Sequence, residues 1–189
     1  MNWEHLLKVY EDMGVENIIP IAHTRIHPHV KVLIDEKGNF IGATLNGEDR
    51  FTIPCTIESE SRTNGNNPHP IHDNMQYLSA DYNKEKHDRY MEQLTAYISK
   101  VDDKLAKAVY FFTRKNCIRE CLKDFFKKIP LPEDKTVVCF VMAYQSHLRK
   151  ASISGDYEKY CLHLLRSGDG QNMQWKDYYL HSLQPNGIC

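Results

Sequence analysis

Residues 30–45 read VKVLIDEKGNFIGATL, and this stretch decides the fold. Apolar side chains alternate from Val30 to Ile34, which is the period of a β-strand with one buried face. The next five residues, DEKGN, are rich in turn formers, and the apolar pattern resumes from Phe40 to Leu45. The pattern predicts two strands joined by a tight turn.

Two further segments extend this sheet. RFTIPCTI, residues 50–57, predicts a third strand that continues an antiparallel meander, and Pro54 places it at an edge or a bulge. KTVVCFVMAY, residues 135–144, has the length and β-branching of a buried strand.

Helical periodicity dominates the rest of the chain. The predicted helices cover residues 1–14, 84–99, 102–113, 115–128 and 157–165, and Asn83 or Asp81 caps the second of them; a short element is expected over 175–183. The fold class is therefore α+β: a small antiparallel sheet with helices packed on one side and a helical second half. We divide the chain into a strand-rich region, 1–82, and a mainly helical region, 83–189, within one compact unit.

Composition narrows the function classes. The chain has 189 residues and a net charge of −1. This charge argues against a free-standing nucleic-acid binder, because such proteins usually carry a basic excess. The first residues lack the basic start and apolar middle of a secretory signal. The six scattered cysteines form no CxxC pair, so we expect reduced, structural thiols and a cytoplasmic location.

The segment 61–82, SRTNGNNPHPIHDNMQYLSADY, concentrates hydrogen-bonding side chains between the strands and the first long helix of the second region. It could be a long connection, a metal site or a surface that reads another polymer. Asparagine and arginine are the side chains that pair with base edges, and long loops in compact domains are often functional. The candidate DNA contacts are Arg62, Thr63, Asn64, Gly65, Asn67, His69 and Asn74, with Arg25, His27 and His29 as a second patch.

Four basic residues recur at a spacing of four on the helix predicted over 115–128: Lys115, Arg119, Lys123 and Lys127. They are candidate phosphate contacts, which supply affinity without sequence information. The sequence alone favours a solvated helix face instead.

Five histidines, His23, His27, His29, His69 and His72, raise the alternative of a zinc-binding protein. HPIHD, residues 69–73, lacks the glutamate base and helical setting of the HExxH hydrolases, so the plainer interpretation as hydrogen-bonding histidines is favoured and no metal is assigned. No nucleophile elbow, cysteine–histidine signature or phosphate-binding glycine loop occurs, and we expect no enzyme activity.

The order of these pieces resembles the large subunit of the type I-C CRISPR interference (Cascade) complex. The resemblance rests on LLKVYEDMG at residues 6–14, on the stretch at 30–45, and on RTNG at 62–65 followed by Pro68, His69, Pro70, Asp73, Asn74, Tyr77, Leu78, Asp81 and Tyr82. HDRYMEQLTAYISK and AKAVYFFTRK, residues 87–100 and 106–115, are also similar to the family's helices. The resemblance covers residues 1–128 best. Asn64 stands where the family has serine, and His72 where it has an aromatic residue.

The resemblance implies a role in DNA recognition. Such a subunit recognises the short protospacer-adjacent motif on double-stranded DNA, helps to open the duplex, and docks a helicase-nuclease beside the guide RNA and the other subunits. It breaks no bond and needs no cofactor. The family's proteins are longer, so the chain resembles an N-terminal part. A fragment, a natural short form and a decoy that occupies the large-subunit position all remain open.

Overall fold

A computed structural model describes residues 19–62, 67–128, 131–167 and 172–183. The α+β class predicted from sequence is confirmed. The helix predicted over residues 1–14 lies outside the described residues. In the described part of the chain, no helix is both long and apolar enough to span a membrane.

The elements are numbered here in chain order. The strands are β1 His23–Ile26, β2 Val30–Asp35, β3 Phe40–Leu45, β4 Phe51–Pro54, β5 Asp73–Asn74 and β6 Val137–Ala143. The helices are α1 Ile57–Glu60, α2 Met75–Leu78, α3 Lys84–Ile98, α4 Lys104–Thr113, α5 Ile118–Cys121, α6 Lys123–Lys128, α7 Gln145–Ser154, α8 Tyr157–Ser167 and α9 Met173–Leu183, with a 3-10 turn at Glu133–Lys135.

A four-stranded sheet with the order β3-β2-β6-β5 forms the centre of the fold. The predicted hairpin β2–β3 is antiparallel, as expected, but β2 and β6 run parallel, so the sheet is mixed. All six residues of β2 are buried. Burial of both faces suits the apolar runs of β2 and β6, because parallel strands are normally covered on both sides.

The turn between β2 and β3 is organised by Asp35. Its carboxylate accepts hydrogen bonds from the backbone N–H groups of Lys37 and Asn39, at 2.9 and 2.8 Å, and from the side chain of Asn39. Burial opposes the charge of Asp35, but these hydrogen bonds lower its pKa overall. Gly38 has a φ of +67°, which favours glycine.

A separate two-stranded ribbon replaces the predicted meander. β4 does not continue the sheet; it pairs with β1, in a register that places His23 opposite Pro54. The prediction of three consecutive antiparallel strands was therefore wrong, and β1 was not predicted. Phe51 and Ile53 of the ribbon pack on Cys139 of β6, so the ribbon covers part of one face of the sheet.

Helices cover both faces of the sheet rather than one. The larger core joins Val32, Ile34 and Phe140 to α3 and α4. On the opposite face, Leu33 and Val141 pack against α7 and α8. The N-caps of α3 and α4 are Asn83 and Asp103, whose side chains accept backbone N–H groups of the first turn.

The helix predicted over 115–128 is interrupted. It begins at Ile118, Leu122 ends the short α5, and α6 follows at once. Lys115 precedes the first helical turn, and its ammonium donates to the carbonyl of Gly38 at 2.6 Å. The break removes the continuous helical spacing on which the predicted basic stripe depended.

Candidate nucleic-acid interface

The polar segment 61–82 is closed at its base by a buried ion pair between Arg62 and Asp73. The two guanidinium nitrogens of Arg62 contact the two carboxylate oxygens of Asp73 at 2.8 and 2.6 Å. The carboxylate is only 1% exposed and the arginine side chain 16%. A two-point contact of this kind fixes distance and orientation together.

The Asp73 carboxylate also accepts hydrogen bonds from backbone N–H groups of the segment. The N–H of His69 donates to its carboxylate at 2.7 Å, and the N–H of Asn74 donates at 2.6 Å. Arg62 donates in addition to the carbonyl of Asn67 at 2.7 Å. We call Arg62 and Asp73, with these contacts, the loop clamp.

The ring of Tyr77 forms one wall of the loop clamp. The guanidinium carbon of Arg62 lies 4.6 Å from the centre of that ring, and the ammonium of Lys86 lies 5.3 Å from it. Burial disfavours the charge of Arg62, but the hydrogen bonds and charge of Asp73 raise its pKa overall. The guanidinium is therefore a fixed cation with its donors directed into the protein.

His69 is buried beside α1 and is not a surface residue. Its Nδ1 lies 3.0 Å from the hydroxyl of Ser59, which forms a reciprocal capping box with Thr56 at the start of α1. Burial lowers the pKa of His69 to about 4, with opposing effects from the charges of Asp73 and Arg62. The ring is consequently neutral at pH 7.

Asn74 is the N-cap of α2. Its side-chain oxygen accepts the N–H of Gln76 at 3.1 Å, and its backbone lies in β5 opposite Val137. Ile71, three residues before Asn74, and Met75, directly after it, are fully buried. The second half of segment 61–82 thus belongs to the core, which the sequence analysis had not expected of a polar loop.

The remaining candidates in this segment fall into two groups. Asn67 is exposed. Thr63, Asn64 and Gly65 lie outside the described residues. The structure therefore brings Arg62, His69 and Asn74 together in the frame of the loop and leaves Asn67 at its surface.

The second predicted patch, Arg25, His27 and His29, also divides into residues that hold the fold and residues at the surface. His29 bridges two strands: its N–H donates to the carbonyl of Val137 and its Nδ1 accepts the N–H of Val137, both at 2.9 Å. His27 is exposed. Arg25 lies in β1 opposite Thr52 and is half-buried.

Acidic side chains lie within 4 Å of three of the phosphate-contact candidates. Arg119 contacts Glu133 at 3.4 Å, and its guanidinium lies 5.6 Å from the ring of Tyr82. A carboxylate also lies close to each of the other two helical candidates: Glu120 lies 3.4 Å from Lys123, and Asp124 lies 3.9 Å from Lys127. Exposed pairs of this kind contribute only about 0–1 kcal/mol each, so their cations remain open to exchange.

The histidines do not form a metal site. Across the described residues, no group of three or more histidine, cysteine, aspartate or glutamate side chains is placed to hold a metal ion. His23 instead accepts the N–H of Asn172 at 3.0 Å, and His72 accepts the N–H of Phe140 at the same distance. The zinc alternative is therefore unsupported.

His72 shows why an aromatic residue suits its position. The side chain is fully buried, and its ring stacks on Phe140 and meets Phe51 edge-on. Burial lowers its pKa to about 3, followed by smaller effects from His69 and His23. In this structure His72 does not reach the surface, so the substitution at this position changes packing.

Sequence reasoning named Asp73 and Tyr77 only as parts of a motif and missed their function as the anchor and wall of the loop clamp. No local period marks this pair, because Arg62 and Asp73 lie 11 residues apart. The available signal was the coexistence, within residues 62–74, of one arginine and one aspartate and no other arginine, lysine or acidic residue.

Comparison with known families decides the identity. Residues 6–173 match the sequence model of the family described as CRISPR-associated protein (Cas_Csd1). The chain belongs to this family. The Cas_Csd1 match extends well beyond residue 128, where the resemblance read from the sequence became weak, and it includes all of the loop clamp. A search of curated proteins found no match to the chain.

Proposed function

We propose that this chain is the motif-reading part of the large subunit of a type I-C CRISPR interference complex. The observation that carries the proposal is the Cas_Csd1 family match over residues 6–173. In RNA-guided systems the protein reads a short motif on the duplex, and base pairing with the guide reads the rest. Segment 61–82 is the best candidate for this reading.

The geometry supports this assignment in two ways. The loop clamp anchors a polar segment to the core through a nearly buried carboxylate, so the segment starts from a defined base. Asn67 is an exposed residue of that segment, and an asparagine amide pairs with the edge of adenine through one donor and one acceptor. Arg25 and His27 on the ribbon are secondary candidates for DNA contact.

The remaining functions follow from the same assignment. Arg119, Lys123 and Lys127 contact DNA phosphates, while Lys115 contributes less because its ammonium already donates to Gly38 and to the Asn39 side chain. A guide ribonucleoprotein and a recruited helicase-nuclease are the partners, in the cytoplasm. The chain itself breaks no bond, so a labelled duplex incubated with it and Mg²⁺ stays intact.

The test is selection of duplexes by an assembled complex. Guide RNA and the other subunits are combined with this chain, and the complex binds a pool of duplexes that carry the guide's complement next to a randomised window. Sequencing of the bound fraction shows enrichment of one short motif if the proposal is right. An unchanged window composition contradicts it.

The decoy alternative gives a different result in the same assay. A decoy enters the complex in place of the large subunit and abolishes duplex binding at all window sequences. A motif reader enters the complex and makes binding selective. The amount of chain in the purified complex, measured beside the bound DNA, separates the two.

A further inference from the structure

The contacts of Arg62 differ from those expected of an arginine that reads DNA. An arginine in a candidate DNA-reading loop is expected to contact guanine through two donors. Here both terminal nitrogens of Arg62 are directed to Asp73, and one of them also donates to Asn67. The ring of Tyr77 covers one face of the guanidinium.

Releasing Arg62 to read a base would be costly. The Asp73 carboxylate, 1% exposed, would lose its only cation partner among the described residues. Removing one partner of a buried pair is strongly destabilising, because a buried charge is left uncompensated. A single bidentate base contact contributes less free energy than this loss.

The same contacts fix the backbone around Asn67. The carbonyl of Asn67 accepts from Arg62, and the N–H of His69 donates to Asp73, so both sides of Pro68 are tied to the ion pair. Proline fixes its own φ and restricts the residue before it to extended conformations. The backbone carbonyl of Asn67 is thereby held, while the residue itself is exposed.

We propose that Arg62 and Asp73 are positioning residues, and that the amide of Asn67 is the specificity-determining group that they hold toward a base edge. This inference rests on the proposed function, since it names the residue that reads and the residues that orient it. Neither Arg62 nor Asp73 contacts a base in this arrangement.

Four variants test the inference in the assembled complex with the randomised duplex pool. Asn67→Ala keeps the backbone carbonyl that Arg62 contacts, and removes only the amide. Asp73→Asn and Arg62→Lys each weaken the two-point contact, and Asp73 itself cannot reach DNA. Leu148→Ala, in the core on the other face of the sheet, is the matched control that lowers stability without touching the loop.

The expected pattern is specific. Asn67→Ala lowers discrimination between the preferred and other motifs by roughly ten-fold, as loss of a bidentate base contact does, without changing the melting temperature. Asp73→Asn and Arg62→Lys lower discrimination as well, accelerate amide hydrogen exchange at Asn67 and His69, and leave the salt dependence of affinity unchanged. Leu148→Ala lowers stability and leaves discrimination intact.

Several outcomes would overturn the inference. If Asp73→Asn keeps full discrimination while Arg62→Lys loses it, Arg62 reads the base directly. If Arg62→Lys changes the salt dependence, Arg62 is a phosphate contact. Full discrimination by Asn67→Ala excludes Asn67 as the reader. A wild-type complex that shows no motif preference instead overturns the proposed function, and this inference with it.

Discussion

At the scale of single residues, the largest energetic effect is expected at Arg62. We predict that Arg62→Ala lowers the free energy of unfolding by about 3–5 kcal/mol, because it leaves the Asp73 carboxylate buried without a cation. Arg89→Ala is the matched control: its contact with Glu85, at 3.2 Å, is exposed, and its loss costs about 0–1 kcal/mol. Urea unfolding measures both. Equal losses for the two variants would show that the Arg62–Asp73 pair is energetically ordinary.

This expectation revises the mutational test that the sequence alone suggests. A double variant of Arg62 and Asn74 was the natural way to remove DNA contacts from an intact fold. In the structure both residues serve the fold, one in the loop clamp and one as the cap of α2. Loss of DNA binding in that double variant would therefore not identify a DNA contact.

His69 makes stability depend on pH. Its pKa is lowered to about 4 in the folded protein, against about 6.5 in the unfolded chain. Protonation therefore favours the unfolded state: the contribution is complete above about pH 6.5 and is lost as the pH falls toward 4, by up to roughly 3 kcal/mol. We predict that His69→Asn flattens the fall in melting temperature over this window. Parallel curves for the variant and the wild type would contradict the prediction.

At the scale of elements, the turn between β2 and β3 docks on α4 without any spare room. A Cβ built on Gly38 would lie 2.6 Å from the carbonyl oxygen of Ala108 and 2.6 Å from the backbone nitrogen of Phe112. Both neighbours are backbone atoms of a helix, so they cannot move aside as a flexible side chain would. The docking of this turn therefore depends on glycine.

We predict that Gly38→Ala lowers the free energy of unfolding by about 3 kcal/mol or more, from overpacking added to the strain of a positive φ. Gly155→Ala is the control, because Gly155 has a φ of +79° but open space around it. That variant costs only the strain, about 1–2 kcal/mol. Chemical denaturation of both proteins measures the difference, and equal losses would show that the helix yields to the added methyl group.

Sequence patterns predicted the elements whose signals are local. The hairpin at 30–45, the cap Asn83 and the buried strand β6 each follow from residues within a few positions of one another. The ribbon β1–β4 and the helix α7 were not predicted, since their partners are distant. The first N–H of α7, at Gln145, donates to the Glu36 carboxylate at 3.0 Å, and no local pattern announces such a contact.

The difference between local signals and distant contacts also explains which features of the candidate site were predicted. Residue types marked segment 61–82 as the candidate site, but they could not separate its residues that hold the fold from its exposed residues. That division depends on which side chains find buried partners, such as His69 beside Ser59. The predicted basic stripe did not keep its helical spacing because the helix breaks at Leu122.

At the scale of the whole molecule, α9, near the end of the described chain, packs on residues 55–57 and on α3. Trp175 is 1% exposed, lies 5.1 Å from the ring of Tyr97, and donates to the carbonyl of Cys55 at 3.1 Å. The hydroxyl of Tyr179 accepts the N–H of Ile57 at 3.0 Å. These contacts reach the residue that follows β4, the first residue of α1, and α3, and the core that holds Trp175 and Tyr179 also holds Val32 and Phe140 of the sheet.

Asn172 is the junction of this arrangement. Its N–H donates to His23, its side-chain nitrogen donates to Asp103, and its side-chain oxygen accepts the N–H of Trp175 at 2.9 Å. We predict that Asn172→Ala lowers the free energy of unfolding by about 2–4 kcal/mol, because it removes a helix cap and a buried hydrogen bond to a carboxylate.

The loss should be global, because the core that contains Trp175 also contains the central strands and α3. In a Trp3→Phe background, tryptophan fluorescence follows Trp175 alone, while far-UV circular dichroism follows all the helices. We expect the two urea transitions to coincide and to shift together in Asn172→Ala. Ser182→Ala, at an exposed residue near the end of α9 whose hydroxyl donates to the Tyr179 carbonyl of the same helix, should shift both transitions much less than Asn172→Ala. If fluorescence changed at lower urea than circular dichroism, α9 would unfold separately, and the single core inferred from its contacts would be wrong.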